Sequence, residues 1–322
     1  MRLLLLLSAA CVFAQGPVIR TTVPLVLVPT TVTDRHGKTV DGLNESDFEV
    51  LDNGTPVKHR LEVSTQPIAL VVAVQTSAIA GPALAKIQKI GAMFEPLVVG
   101  DRGVAAILTY SETIKVWQDF TRDADEFTKR MRRIEPAGGG AKIAKMNDAV
   151  IEGVNLLEAR PNYRRVLVVI GESRDRGSKA KLEDAVTRAQ AANVTVYPVN
   201  YSVYATSFTS RGAETFSGSG RPVYDGSSGM DLLAVFTEIG RMSAQNGGDA
   251  LAKYTGGEKV SFTKLAGLER VIAKVGEDLH SQYLLSFQAG DSGDNRTYHE
   301  LTVKVKRGDV LVRTRPGYWA ER

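Results

Sequence analysis

Residues 68–74 read Ile-Ala-Leu-Val-Val-Ala-Val, an apolar run with no polar residue at alternate positions. A strand whose two faces are both covered by helices has this pattern, because both rows of its side chains are buried. Residues 166–170, Val-Leu-Val-Val-Ile, form a second such run. The two runs predict central strands of a mostly parallel β-sheet.

Strand and helix patterns alternate around these two runs. Apolar residues recur at helical intervals in some segments, and short apolar runs mark others as strands. The predicted helices lie at residues 83–98, 123–133, 142–159, 179–192, 230–242 and 264–280, and further strands at 103–110 and 194–199. Residues 113–120 alternate, which predicts an antiparallel strand at the sheet edge. This order of elements predicts an α/β fold with a doubly wound sheet and helices on both faces.

The two flanks are rich in short strand patterns and turns. Residues 15–66 contain strand-forming runs and the hairpin signal Asp52-Asn53-Gly54. Residues 281–322 contain three strand patterns separated by turns rich in Gly and Asp. Because the ends of an inserted domain lie close together, we expect the N- and C-terminal strands to form one small β-sandwich. The α/β domain, residues 67–280, is then an insertion within this β module.

The first residues predict an export signal. Met1 and Arg2 precede a short apolar run, and Val12 and Ala14 are acceptable residues before a signal-peptidase cleavage site. We predict a signal peptide over residues 1–14 and a mature protein in the periplasm or outside the cell. The alternative is a lipoprotein signal, in which Cys11 carries the lipid. The apolar run is far shorter than the ~20 residues that cross a bilayer, so no membrane span is predicted.

The composition excludes several classes of protein. The chain has 322 residues, of which 43% are hydrophobic and 24% charged, as in ordinary globular proteins. Its net charge of +4 arises from 40 basic and 36 acidic residues spread along the sequence, which gives no case for nucleic-acid binding. One cysteine and four histidines exclude a disulfide framework, a cysteine-type zinc site and a histidine-rich metal centre.

Three features fall at predicted carboxyl ends of strands, where doubly wound sheets bind ligands. They are a Ser-containing loop after residue 74, a glycine-rich turn at 138–140 and an acidic loop after residue 170. This layout resembles a von Willebrand factor type A domain. The flanking motifs resemble the related exported family that is abundant in Acidobacteria, and the resemblance covers nearly the whole mature chain. These motifs are Gly42-Leu43 with Asp47-Phe48-Glu49-Val50, Ser281-Gln282-Tyr283-Leu284-Leu285-Ser286-Phe287, and Arg313-x-Arg315-Pro316-Gly317-Tyr318.

The resemblance implies a metal-ion-dependent adhesion site, made of Asp-x-Ser-x-Ser, a Thr and an Asp. Of these positions only Ser77 matches. The other four positions hold Gln75 for the first Asp, Ile79 for the second Ser, Gly140 for the Thr and Glu172 for the last Asp. A hard divalent cation needs oxygen ligands and negative charge, which this set largely lacks. We therefore expect a degenerate site and no cofactor; if Mg²⁺ or another divalent cation binds, its ligands are Ser77, Glu172 and Asp175.

Residues 202–229 form a long segment without periodicity, rich in Ser, Gly and Tyr. Tyr and Arg among small residues are typical of recognition surfaces. The candidate partner-binding residues are Tyr201, Tyr204, Phe208, Arg211, Phe216, Arg221 and Tyr224. The alternative is an irregular insertion that packs on the α/β domain without binding anything.

The resemblance therefore implies a non-enzymatic protein-binding module of adhesion type, and the sequence does not name its partner or oligomeric state. A structural or assembly component of the cell envelope is the first alternative. A hydrolase that uses Glu172 and Asp175 is the second. The sequence has no Gly-x-Ser-x-Gly nucleophile motif. Its histidines lie away from the strand ends, in the front β unit (His36, His59) and near the tail (His280, His299). No catalytic residue is predicted.

Overall fold

The computed structural model describes residues 25–62, 66–94, 100–138, 142–172, 174–201, 232–262, 265–289 and 297–320. The predicted signal peptide, Gly140 and residues 202–229 lie outside these ranges. The first four strands are β1 (Leu25–Asp34), β2 (Phe48–Asp52), β3 (Thr55–Val57) and β4 (His59–Glu62).

A six-stranded sheet forms the centre of the α/β domain. Its strands are β5 (Ile68–Gln75), β6 (Val104–Tyr110), β7 (Ile114–Thr121), β8 (Arg164–Gly171), β9 (Val194–Tyr201) and β10 (Val260–Phe262). They lie in the order β10-β9-β8-β5-β6-β7. All neighbours are parallel except β7, which pairs antiparallel with β6 and confirms the predicted edge strand. The predicted doubly wound α/β fold is confirmed.

Seven helices cover the two faces of this sheet in the described part of the chain. They are α1 (Gly81–Ile87), α2 (Gly91–Phe94), α3 (Ala124–Arg132), α4 (Met146–Glu158), α5 (Leu182–Ala191), α6 (Leu232–Thr255) and α7 (Leu265–Ser281). Alternate residues of β5 face opposite layers: Leu70 and Val72 pack with α1, α2, α3 and α7, whereas Val71 and Ala73 pack with α4, α5 and α6. The unbroken apolar run is therefore buried on both sides.

Three helix boundaries differ from the predictions. The segment predicted as one helix over 83–98 contains α1 and α2, and a Cβ on Gly91 would lie 3.0 Å from the Thr128 Cα atom, so the second helix packs closely on α3. Helix α4 begins four residues later than predicted, because Ala144 forms a β-bridge with Arg176. Helix α6 continues to Thr255 through a kink at Asn246, where φ is −165° and ψ is 88°.

The N- and C-terminal strands form a β-sandwich, as predicted. The last strands are β11 (Tyr283–Gln288), β12 (Thr297–Val305), β13 (Val310–Arg313) and β14 (Gly317–Ala320). The two sheets have the orders β13-β1-β11-β4 and β14-β12-β2-β3, so each combines strands from both ends of the chain. Val28, Phe48, Leu285 and Val303 are buried between them.

Buried polar side chains join the sandwich to the α/β domain. Asp278 of α7 is 2% exposed and accepts hydrogen bonds from Tyr197 of β9 at 2.7 Å and from Thr31 of β1 at 2.8 Å. Arg313 of β13 also pairs with this carboxylate and donates to the carbonyl of Gly257 at 2.8 Å. Each partner of Asp278 comes from a different strand, which fixes the sandwich against the domain.

Candidate functional site

The strand ends bring three of the predicted adhesion-site positions together, namely Gln75, Ser77 and Glu172. Strand β5 lies between β6 and β8, and Gln75 is aligned with Tyr110 at the end of β6. Gly171 and Glu172 follow at the end of β8, next to Gln75. Gln75 and Ser77 are fully buried. The parallel strands therefore place these residues at one edge of the sheet.

The side-chain amide of Gln75 links the first and third strand ends. Its Oε1 atom accepts a hydrogen bond from the backbone N–H of Glu172 at 2.7 Å, and its Nε2 atom donates to Ser77 Oγ at 2.8 Å. The orientation of the amide follows from chemistry, because a backbone N–H only donates and must face the amide oxygen. The NH₂ group of Gln75 is thereby directed at the one hydroxyl that matches the family motif.

Glu172 is paired with a cation from its own loop. Its side chain is 12% exposed, and Arg176, four residues later, lies 3.4 Å from Glu172 Oε2. That oxygen is buried and has no hydrogen bond within the described residues. Arg176 is not among the predicted site residues, although the sequence places it four residues after the oppositely charged Glu172. The pair is close to electrically neutral, and the Arg176 side chain is 35% exposed.

Asp175 binds the backbone at the start of α4. Its carboxylate accepts hydrogen bonds from the Asn147 N–H at 3.0 Å, the Ser178 N–H at 3.2 Å and the Ser178 hydroxyl at 2.5 Å. These bonds satisfy donors that a helix N-terminus leaves free. The structure therefore brings Ser77 and Glu172 together through Gln75 and gives Asp175 a role in capping.

Two buried tyrosines complete the strand ends. Burial raises the pKa of Tyr110 well above its ordinary value, and the charge of Glu172 contributes. Burial, with a smaller contribution from Glu172, also raises the pKa of Tyr201, so both phenols are neutral at physiological pH. Tyr201 is 8% exposed and packs against Phe262, so it lies in the core. The other predicted partner-binding residues lie outside the described residues: Tyr204, Phe208, Arg211, Phe216, Arg221 and Tyr224.

The side chains at the strand ends provide few available oxygen ligands for a divalent cation. Ser77 supplies one hydroxyl, which already accepts from Gln75, and Glu172 supplies one carboxylate, which already faces Arg176. Ile79 has only a hydrocarbon side chain. Within the described ranges, no three His, Cys, Asp or Glu residues are close enough together to hold a metal ion.

Comparison with known families places this architecture in a class. The von Willebrand factor type A domain family matches residues 87–238. Residues 87–238 are therefore similar to a von Willebrand factor type A domain, and the central sheet and helices have that fold. The matched residues begin after β5, so Gln75 and Ser77 precede them.

Several solved structures resemble the chain at low sequence identity. The protein BatB from Bacteroides thetaiotaomicron is 12% identical, with a TM-score of 0.41 and coverage of 65% of this chain and 99% of that one. An aerotolerance-related membrane protein from Bacteroides fragilis is 11% identical, with a TM-score of 0.43 and coverage of 65% and 98%. Proximal thread matrix protein 1 from the mussel byssus is 11% identical, with a TM-score of 0.45 and coverage of 69% and 48%.

No curated protein sequence matches the chain. None of the helices in the described part of the chain is long and apolar enough to cross a membrane.

Proposed function

We propose that the chain is an exported, non-enzymatic protein-binding module of adhesion type that works without a divalent cation. The von Willebrand factor type A domain supports protein binding, because such domains commonly mediate protein interactions. A fold alone sets a function only weakly, so the strand-end site is needed to support the proposal. The N-terminal signal sequence supports export.

The Gln75 amide is the observation that carries the metal-independent mechanism. It holds Ser77 and the Glu172 backbone together across the strand ends with two hydrogen bonds in a fully buried position. A cation at Ser77 would face the positive end of the amide NH₂ group instead of a carboxylate. A protein side chain, and not a metal ion, thus connects the loops, so a binding surface at the strand ends forms without metal.

Thermal unfolding of the mature chain tests this mechanism. The melting temperature is measured in EDTA and then with millimolar Mg²⁺, Mn²⁺ or Ca²⁺, with matched KCl as the ionic-strength control. A cation that binds only the folded state stabilises it by about 2.7 kcal/mol at a hundred times its Kd. We expect no shift. A rise in melting temperature that Ser77→Ala abolishes would show that metal-bridged adhesion operates after all.

Cell fractionation and the mass of the mature N-terminus test export. Cleavage after Ala14 gives a protein that begins with Gln15 in the periplasm or medium. A lipid on Cys11 would instead place the protein in a membrane fraction. Retention of the uncleaved chain in the cytoplasm would refute the proposal.

The hydrolase alternative needs two free carboxylates at the crevice. Asp175 is held by Asn147 and Ser178, and Glu172 by Arg176, so these two carboxylates do not share a common open position. Substrate turnover by the purified chain that disappears in Glu172→Gln would establish the enzyme instead.

The assembly alternative has one observation in its favour. Leu311 is 49% exposed on β13, an edge strand of the sandwich, where a second copy could add a strand. Sedimentation across a range of concentrations separates the two proposals. A stable monomer favours the binding module, whereas self-association that Leu311→Lys removes favours assembly.

A further inference from the structure

A basic rim surrounds the strand ends on two loops that lie next to each other in space. Backbone hydrogen bonds of 3.0 and 2.8 Å join Ala144 to Arg176, and they connect the loop before α4 to the loop after β8. Six cationic residues lie on these loops: Lys142, Lys145, Arg174, Arg176, Lys179 and Lys181. Lys142 and Lys145 precede α4 and the other four follow β8, so the fold brings two separate groups of cations together.

Three carboxylates on or next to these loops, those of Asp148, Asp175 and Asp184, accept hydrogen bonds from backbone N–H groups. Asp148 accepts from the N–H groups of Lys179 and Ala180, the latter at 2.9 Å. Asp184 accepts from the N–H of Lys181 at 2.9 Å, and Asp175 caps α4. Asp184 is exposed, and so are the cations Lys142, Arg174, Lys179 and Lys181. The outer surface of the two loops therefore presents mainly positive charge.

Arg176 is the best-placed anchor in this rim. The Glu172 carboxylate 3.4 Å away holds its guanidinium beside the strand ends without burying it. A guanidinium has five N–H donors, and Glu172 faces only one of its terminal nitrogens. The remaining donors match a carboxylate, which arginine binds with two parallel hydrogen bonds.

We propose that the basic rim binds an acidic segment of a partner protein, with a partner carboxylate on Arg176 and the exposed lysines around it. The proposal rests on the protein-binding function and names the chemistry of its partner. The positive charge that binds the partner carboxylate is then the guanidinium of Arg176, a side chain of this protein, in place of a metal ion. A protein segment is preferred to a nucleic acid because the proposed function is protein binding, and competing binding of a nucleic acid is one outcome of the test.

Fluorescence anisotropy with a labelled oligo-glutamate peptide tests the proposal, with an oligo-glutamine peptide as the uncharged probe. The rim variant is Lys142→Glu with Lys179→Glu. The control variant is Lys58→Glu with Arg307→Glu, which changes the net charge equally at exposed positions of the sandwich. All of these changes lie at exposed positions, so both variants are expected to keep the wild-type melting temperature.

We expect the glutamate peptide to bind the wild type, and the control variant to retain that affinity. The rim variant should bind the glutamate peptide about tenfold or more weakly, because two positive charges that attract the peptide become negative. Arg176→Gln, which removes the anchor without reversing charge, should also weaken binding. Added salt should weaken binding in the wild type and control.

Three outcomes would overturn the proposal. They are equal losses in the rim and control variants, equal binding of the oligo-glutamine peptide, and tighter binding of a single-stranded DNA oligonucleotide than of the glutamate peptide. None of these outcomes depends on a metal. A melting temperature that rises with a divalent cation would therefore refute the metal-independent mechanism, whereas binding of the acidic peptide to the basic rim would still be decided by the anisotropy experiment.

Discussion

The phenol of Tyr110 occupies the space beside Gly171, so a Cβ atom on residue 171 would overlap Tyr110 Oη. The same Cβ atom would lie 2.7 Å from Gln75 Oε1. Tyr110 and Gln75 are both fully buried and cannot move away into solvent. The absence of a side chain at residue 171 therefore permits the close packing that holds the Gln75 amide against the Glu172 backbone.

Gly171→Ala should destabilise the fold by about 2–3 kcal/mol, because overpacking a tight core forces side chains from their positions. Tyr110→Phe removes the nearest overlapping atom, so the double variant should lose less than the sum of the two single changes. Urea unfolding of the four proteins measures this coupling. Gly138→Ala is the control, since nothing lies within 4 Å of its added Cβ. Strict additivity would contradict this account of the site.

Gln75→Leu tests the amide link itself. Leucine keeps a similar volume but neither accepts from the Glu172 N–H nor donates to Ser77 Oγ. The unfolding free energy should fall by about 2–3 kcal/mol, as expected when a buried donor is left unsatisfied. At acidic pH, where its carboxyl is protonated, Gln75→Glu should cost less, because a neutral carboxyl accepts from the Glu172 N–H and donates to Ser77 Oγ as the amide does. Equal losses in the two variants would mean that packing, and not hydrogen bonding, sets the identity of residue 75.

Restoring the adhesion-site pattern should create metal binding. The triple variant Gln75→Asp, Ile79→Ser, Gly140→Thr adds a carboxylate and two hydroxyls at the positions that the family resemblance assigns. Millimolar Mn²⁺ should then raise its melting temperature and leave that of the wild type unchanged. The variant with only Ile79→Ser and Gly140→Thr is the matched control without the carboxylate. If Mn²⁺ leaves the triple variant unaffected, the motif positions have been assigned wrongly.

Asp278→Ala should destabilise the protein by about 3–5 kcal/mol, because it leaves the buried Arg313 without its closest carboxylate. It also removes the acceptor of Tyr197 and Thr31, which join the sandwich to the α/β domain. Chemical unfolding monitored by near-UV circular dichroism measures the loss. Glu277→Ala is the neighbouring control, since the Glu277 side chain is 59% exposed. A similar small effect in both variants would show that the sandwich is held by other contacts.

The central strands were predictable because burial on both faces leaves an unbroken apolar run, as in residues 68–74. The site was less predictable, because its contacts join distant segments. The sequence shows Gln75 where the family has Asp, but the direction of its amide depends on the Glu172 N–H, 97 residues later. The late start of α4 likewise depends on the bridge between Ala144 and Arg176. Neither contact has a local signature.

Glu258 makes the stability of the contact between the β-sandwich and the α/β domain depend on pH. Burial raises the pKa of its carboxyl above the ordinary value of 4.5, although Arg313, 3.4 Å away, lowers it. A raised pKa means that the folded state binds the proton more tightly than the unfolded chain. The ionised carboxylate therefore costs stability above the raised pKa, and this cost disappears as the pH falls below 4.5.

Glu258→Gln should consequently be at least as stable as the wild type at neutral pH. Its advantage should shrink as the pH falls through the raised pKa and vanish below the ordinary value, where Glu258 is protonated in both states. Urea unfolding at several pH values measures the difference, with Glu277→Gln as the exposed control. A variant that is less stable than the wild type at neutral pH would show that attraction to Arg313 outweighs the cost of burial.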